Sequence, residues 1–276
     1  MMTRQDAPRQ IVLPALYRSA LRMTRKHGMN TLSRIKHRMF PAGQVIRLET
    51  GAEFFVPPDP HFFGYIVEHE RHISRLMAAT VEEGDTCLDV GANIGYFTAT
   101  MAAKCGSTGR VLAYEPEAAN FAMLAANAEI AGRQGFHVDA VRAAVSDRAG
   151  TLALVRGEES TLHQVAAAST ETRPEDIVPC VNLAEDLQAR GIDDPIKLLK
   201  IDVEGHEAAV LEGCADLFRR GRVRTAVVEV TAGEPAREIA AILDRYEAEV
   251  TCWLDGRWQK IPVADLPRRT DIQIRF

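Results

Sequence analysis

Paired cysteines are missing from this chain of 276 residues. Its five, Cys87, Cys105, Cys180, Cys214 and Cys252, are odd in number and nowhere spaced C-x-x-C. That suits the reduced thiols of a cytoplasmic protein better than a disulfide framework or a cysteine zinc site. No run approaches the roughly eighteen consecutive apolar residues a membrane span needs, so no transmembrane helix is expected. Internal repeats and low-complexity tracts are absent. His69-Glu-Arg-His72 falls one residue short of the H-E-x-x-H zinc spacing, so His61, His69 and His72 are read as surface histidines. Acids are scarce at one end: residues 1–47 carry ten Lys or Arg against Asp6 alone, in a chain whose net charge is −5. An acidic body therefore carries a basic arm. No aromatics interleave that charge, which argues against a nucleic-acid partner.

The composition that remains, 46% hydrophobic and 26% charged, is that of an ordinary globular protein long enough for one α/β core with an addition. The addition is placed at residues 1–60. Over 11–27, Leu13, Leu16, Tyr17, Ala20 and Leu21 fall on one helical face with Arg18, Arg22, Arg25 and Lys26 near the other. Such a helix suits peripheral contact with an anionic membrane, the acidic body, a second subunit or an organelle transit role, and the sequence leaves these open. Edge strands are expected within 43–56, and a helix over 61–80. From residue 61 onward the chain reads as one catalytic domain.

The stretch that organises this domain is Asp85-Thr-Cys-Leu-Asp89-Val-Gly91-Ala92-Asn93-Ile-Gly95-Tyr-Phe-Thr98. It reads as a buried strand over 86–90, a glycine turn, and a helix from about residue 95, the way an open parallel sheet presents a small ligand. The glycines are expected to let backbone donors approach a ligand. Their spacing is not the G-x-G-x-x-G of dinucleotide proteins, and the carboxylate of Asp89 precedes them. An acid there would attract an ammonium and repel a pyrophosphate, which points to S-adenosylmethionine. A second strand, Arg110 to Tyr114, ends in Glu115, placed to accept hydrogen bonds from both ribose hydroxyls of an adenosine.

Further elements are expected as strand 136–145, a polar segment 146–175 carrying His163, strand 196–201, helix 207–220, strand 225–230, helix 234–246, and extended segments 248–254 and 270–276. Strand 196–201 ends in Asp202-Val-Glu204-Gly205-His206-Glu207, where charges are costly to bury and ligands bind in such sheets. Alternation puts Lys200 and Asp202 on one face, where they can neutralise each other.

Together, Asp89 to Thr98, Tyr114-Glu115-Pro116, Ala144-Val-Ser-Asp-Arg-Ala-Gly150 and Leu198-Leu-Lys-Ile-Asp-Val-Glu-Gly-His-Glu207 resemble the FkbM family of S-adenosylmethionine-dependent methyltransferases. The resemblance covers roughly residues 80–230 and excludes the first 60. It implies a Rossmann-like class I methyltransferase fold, a mostly parallel seven-stranded sheet whose last strand is antiparallel. It further implies that Asp89 and the turn Gly91, Ala92, Asn93 and Gly95 hold the methionine portion, Glu115 the ribose, and Ala144 and Val145 the adenine edge. Family members commonly methylate hydroxyls of sugars or natural products. Asn182-Leu-Ala-Glu-Asp-Leu187 departs from the family's Thr-Leu-Asp pattern.

An aliphatic hydroxyl needs a general base, for which His206, Asp202 and Glu204 are the candidates, with Glu229 as a binder of acceptor hydroxyls. Asp202 and Glu204 would gather a divalent cation only if the strand ran on through Glu204, and Gly205 speaks for a turn, so no metal is assigned. The expected activity is O-methylation of a sugar, glycan or natural-product hydroxyl. The competing account is a catalytically silent adenosyl-binding or scaffold protein. Oligomeric state is not legible.

Overall fold

The protein is described from a computed structural model covering residues 43–58, 70–156, 163–166, 173, 176–230, 235–246, 248–267 and 270–276. The expected helix over 11–27 and the first part of that over 61–80, with His61 and His69, lie outside the described residues.

Alternating strands and helices build one parallel core. Its first half runs β3 (Thr86–Val90), α2 (Tyr96–Cys105), β4 (Arg110–Tyr114), α3 (Ala118–Arg133) and β5 (Val138–Val141). Its second runs β10 (Ile196–Ile201), α5 (Glu207–Gly213), α6 (Ala215–Arg219), β11 (Val223–Val230), α7 (Pro235–Leu243) and β12 (Glu249–Leu254). The last strand, β14 (Thr270–Arg275), returns antiparallel between β11 and β12. The sheet order is β13-β12-β14-β11-β10-β3-β4-β5. The expected seven strands are all present, and β13 (Arg257–Lys260) adds an eighth as a hairpin on β12. Asp255 and Gly256, both at positive φ, make that turn.

Strand order reverses between β3 and β10, because β4 and β5 extend one way and β11 the other. Carboxyl ends that diverge at such a point leave a crevice above them. Apolar runs in β3, β4 and β10 bury both faces of the sheet. Cys87, Val111, Leu198 and Val227 pack under α1 (Arg71–Thr80) and α2, through Ile73, Met77 and Met101. Leu88, Leu112, Leu199, Ile201 and Val228 pack on the other side with Leu183 and Leu187 of α4 (Leu183–Ala189), Val210, Leu211 and Ile239.

Three expectations are corrected. The strand read as 136–145 is two, β5 in the main sheet and β6 (Ala144–Val145) in a second sheet. The polar segment after it is partly strand: β7 (Gly150–Arg156) and β8 (His163–Ala166), joined by β9 (Ile177–Val181), form that second sheet in the order β6-β9-β7-β8. Helix 207–220 is broken at Cys214, next to Gly213, where a Cβ would lie 2.3 Å from the Ser146 carbonyl oxygen.

The hairpin β1 (Gln44–Arg47) and β2 (Glu53–Val56) is anchored to α3. Buried Asn127 accepts from Phe55 N at 2.7 Å and donates to the Phe55 and Ile94 carbonyls at 3.2 and 2.8 Å. One side chain thus ties the hairpin to the glycine turn.

Candidate active site

The turn after β3 is shaped by what crowds it. A Cβ on Gly91 (φ 80) would lie 1.8 Å from the Asp202 carbonyl oxygen, and one on Gly95 (φ 90) 2.8 Å from Leu124 Cδ1. Packing against β10 and α3 therefore demands both glycines. The turn's own backbone donors are spent within the protein. Gly91 N and Ala92 N donate to the Tyr114 carbonyl, Gly95 N to that of Ala92, Asn93 N to Glu115 Oε2 and Ile94 N to Asn93 Oδ1. Five donors spent internally leave no anion nest there, which weighs against a phosphate-bearing ligand.

Asp89 also differs from its expected place. It is fully buried and does not line the cleft. In register with Lys200 and Ala113, it points to the face that α2 covers, where Thr98 Oγ1 donates to its Oδ2 at 2.5 Å. Burial pushes its pKa up, opposed by Lys200 and Thr98. Its Oδ1 is buried with no hydrogen-bond partner among the described residues. Such an orphaned acceptor costs about 1–3 kcal/mol until a donor reaches it.

Above these elements opens a cleft of about 1020 Å³, counting the space open to solvent. Gly91, Ala92, Asn93, Glu115, Ala144, Val145, Asp202 and Glu204 all line it. At one wall Glu115, 6% exposed, accepts from Asn93 N and Glu117 N, both at 2.9 Å. Burial raises its pKa to about 7 against those two bonds. The neighbouring wall is apolar: Ala143, Ala144 and Val145.

The opposite wall is built by the tip of β10. Lys200, 4% exposed, reaches Asp202 Oδ2 at 2.8 Å and lies 4.9 Å from the Phe97 ring centroid. Burial works against its charge, but Asp202, Asp89 and Glu70 hold its pKa above the ordinary lysine value. Asp202 is desolvated too, yet Lys200 and a proton held by Glu229 keep it below the usual carboxylate range. Burial and Asp202 push Glu229 up to about 10. The chain turns through Glu204 (φ 53) and Gly205 (φ 106), as expected. Even so, oxygens of Asp202, Glu204 and Glu229 come within 4.8 Å of one another, a grouping that strand alternation did not foresee.

His206 is not brought to the cleft. Its Nε2 hydrogen-bonds Ser146 Oγ at 2.8 Å, and burial lowers its pKa. It sits beyond the turn at the start of α5, pinning the residue that follows Val145. Glu229 faces a smaller cavity behind Lys200, with Glu70, Asp202 and Asp271.

Several residues were missed. Glu207 is fully buried and accepts from Gly205 N at 2.9 Å and Val203 N at 3.3 Å, latching the turn that carries Glu204. Glu70 lines both cavities from a left-handed conformation before α1 (φ 62). Tyr96, Phe97 and Asn120 complete the cleft. Of the four non-glycine residues at positive φ among the described residues, Glu70, Asn93 and Glu204 line it. Such backbone strain concentrates at functional sites.

The profile of the Methyltransferase FkbM domain matches residues 89–250. The chain belongs to the FkbM methyltransferase family. Hexuronic acid methyltransferase AglP of Haloferax volcanii is 27% identical over 184 residues, covering 66% of this chain and 72% of its own. The 31-O-demethyl-FK506 methyltransferase FkbM of Streptomyces tacrolimicus is 36% identical over 194 residues, 58% of this chain and 71% of its own. The crystal structure of Methyltransferase FkbM from Methylobacillus flagellatus KT superposes with a TM-score of 0.44 at 15% identity. That superposition covers 70% of this chain and 44% of the other. Among this FkbM methyltransferase's described residues, no helix is long and apolar enough to cross a membrane.

Proposed function

We propose that this chain is an S-adenosylmethionine-dependent O-methyltransferase acting on a hydroxyl of a sugar, glycan or natural product. The observation that carries this reading is a single cleft with the Glu115 carboxylate at one wall and Asp202 and Glu204 at the other. The names of the two relatives, one a hexuronic acid methyltransferase and one acting on 31-O-demethyl-FK506, support an oxygen acceptor of either kind.

When bound, S-adenosylmethionine supplies a methyl group on a sulfonium, already activated for in-line attack. The protein supplies position and charge. Glu115 would hold the ribose hydroxyls, Ala144 and Val145 the adenine edge, and the turn from Gly91 through Asn93 to Gly95 the methionine portion. Asp89, beneath that turn, reaches an ammonium only through an intervening donor, which suits its orphaned Oδ1. The spent donors of the turn fit a cofactor that carries no phosphate.

A neutral aliphatic hydroxyl attacks poorly until its proton has somewhere to go. Asp202, held charged by Lys200, is a weak base that orients the hydroxyl by accepting its hydrogen bond. Glu204, on the strained turn that Glu207 latches, receives the proton. His206, turned to Ser146, positions the adenine wall in place of acting as base.

Calorimetry with S-adenosylhomocysteine, followed by labelled methyl transfer to a panel of hydroxyl compounds and cell extracts, tests the reading. Binding and transfer are expected. Absence of binding sinks it, and binding without transfer to any acceptor favours the silent alternative.

A further inference from the structure

We infer that Tyr96 is a cofactor-contacting residue whose ring faces the sulfonium of S-adenosylmethionine, so that the cleft tells the charged cofactor from neutral S-adenosylhomocysteine there. The inference rests on the methyltransferase reading above and assigns a recognition role within that same cleft.

It follows from how the aromatic side chains of the cleft are used. Among the described residues three of them, Tyr96, Phe97 and Tyr114, line it. Tyr114 is fully buried in the core, and its hydroxyl donates to Asp186 Oδ2 at 2.8 Å. Phe97 is 8% exposed and already meets a cation, the Lys200 ammonium 4.9 Å from its centroid. Tyr96 is half-buried and follows directly on Gly95, the end of the turn assigned to the methionine portion. The cofactor's sulfur lies between that portion and the ribose at Glu115, and its methyl must face the end of the cleft formed by Lys200, Asp202 and Glu204. Tyr96 reaches toward that end, because Glu70, another lining residue, lies close enough to act on its phenol.

The ring is held in place and neutral. It packs edge to face against Phe54 of β2 and Phe97, with centroids 6.0 and 5.1 Å away, and Ser74 Oγ on α1 donates to its hydroxyl at 3.3 Å. Phe54 and Ser74 both precede the residues 89–250 that the family profile matches, so segments outside it set this wall. Burial raises the pKa of the phenol against the Ser74 bond, so no phenolate stands there to pair with a cation or to take a proton. What a neutral aromatic ring offers a cation is its electron-rich face, within about 6 Å of the centroid. A sulfonium suits that face, because it carries positive charge and has no N–H or O–H to donate to a carboxylate. S-adenosylhomocysteine, a neutral thioether at the same atom, gains only ordinary contact.

The test is calorimetry of the full chain with both molecules, on a series that changes the charge of the ring and hardly its shape. Tyr96→Phe removes the hydroxyl, and phenylalanines bearing one, two and three ring fluorines at the same position then withdraw electrons from the face stepwise. S-adenosylmethionine affinity is expected to fall along the series, by at least about threefold from the unfluorinated to the trifluorinated ring, while S-adenosylhomocysteine affinity stays within about twofold. An S-adenosylmethionine affinity that does not change along the series, or a fall that S-adenosylhomocysteine follows, overturns the inference and leaves the methyltransferase reading intact.

Tyr96→Leu reads the same contact by removing the ring. It should weaken S-adenosylmethionine several-fold more than S-adenosylhomocysteine, whereas Ser74→Ala, which frees the hydroxyl and keeps the ring, should leave the ratio of the two affinities unmoved. Equal losses for both molecules in Tyr96→Leu would make the residue a structural wall and overturn the inference. If neither molecule binds the wild-type chain, the methyltransferase reading fails, and the role of Tyr96 falls with it.

Discussion

Glu229 carries a proton that its surroundings impose. Burial and the neighbouring Asp202 raise its pKa from 4.5 to about 10. The folded state therefore holds a proton that the unfolded chain releases near its ordinary value. The stability this contributes is fully present below about pH 4.5 and is lost as pH rises toward about 10, with a slope of at most about 1.4 kcal/mol per pH unit. Glu229→Gln mimics the protonated group. Chemical denaturation between pH 6 and 9 should show the wild type losing stability with pH and the variant losing less. Equal slopes would place the proton elsewhere.

His206 separates two roles by the size of an effect. Losing a general base costs about 10²–10⁴ in rate. A residue that only holds Ser146, and through it the adenine wall, should act on affinity instead. His206→Gln is expected to raise the cofactor Kd several-fold and to leave kcat within about threefold, measured by calorimetry and initial rates. A hundredfold fall in kcat would return His206 to the chemistry.

Among the elements, the strands that bury both faces were the legible ones. Leu88, Leu112, Leu199 and Val228 lie in runs too apolar for any surface, and their turns carry the motifs. The second sheet was not legible, because β7 and β9 are only half covered: Val155 is 51% and Ile177 41% exposed, and β9 carries Pro179, a residue that argues against a strand. The eighth strand had a signal in Asp255-Gly256. Asp89 and Gly91 stand out in the sequence, but Asp89 is buried under α2 and away from the cleft lining, and Gly91, which lines the cleft, is also pressed by the Asp202 carbonyl, neighbours distant in sequence. Glu70 owes its place to a left-handed backbone that no spacing announces.

Asn127 is the element-scale joint. Asn127→Ala leaves the Phe55 N–H and the Phe55 and Ile94 carbonyls without their partner, at about 1–3 kcal/mol for each group that stays unsatisfied. A denaturation midpoint lowered by that amount, with faster proton exchange at Phe55, is expected. An unchanged midpoint would mean the hairpin is held by its apolar contacts alone.

For the whole molecule, the sequence divides its charge between a basic arm and an acidic body. The hairpin from Gln44 packs on α3, so the part that can be removed without touching the described core is residues 1–42. We propose that this arm makes peripheral contact with anionic membranes. Deleting it should abolish sedimentation with phosphatidylserine vesicles and leave S-adenosylhomocysteine affinity within about twofold. Vesicle binding that survives the deletion would contradict the proposal.

The proposed cofactor site depends on Glu115. It is held by two backbone donors, and burial raises its pKa to about 7. Ribose hydroxyls that donate to its carboxylate would favour the charged form, lower that pKa and release a proton. The decisive measurement is calorimetric titration of the full chain with S-adenosylhomocysteine from pH 6 to 8, in buffers of different ionisation enthalpy, beside Glu115→Gln. Affinity rising with pH and proton release are expected in the wild type, with binding at least tenfold weaker and proton release diminished in the variant. Wild-type binding that Glu115→Gln leaves unchanged, or no binding at all, would contradict the proposed site.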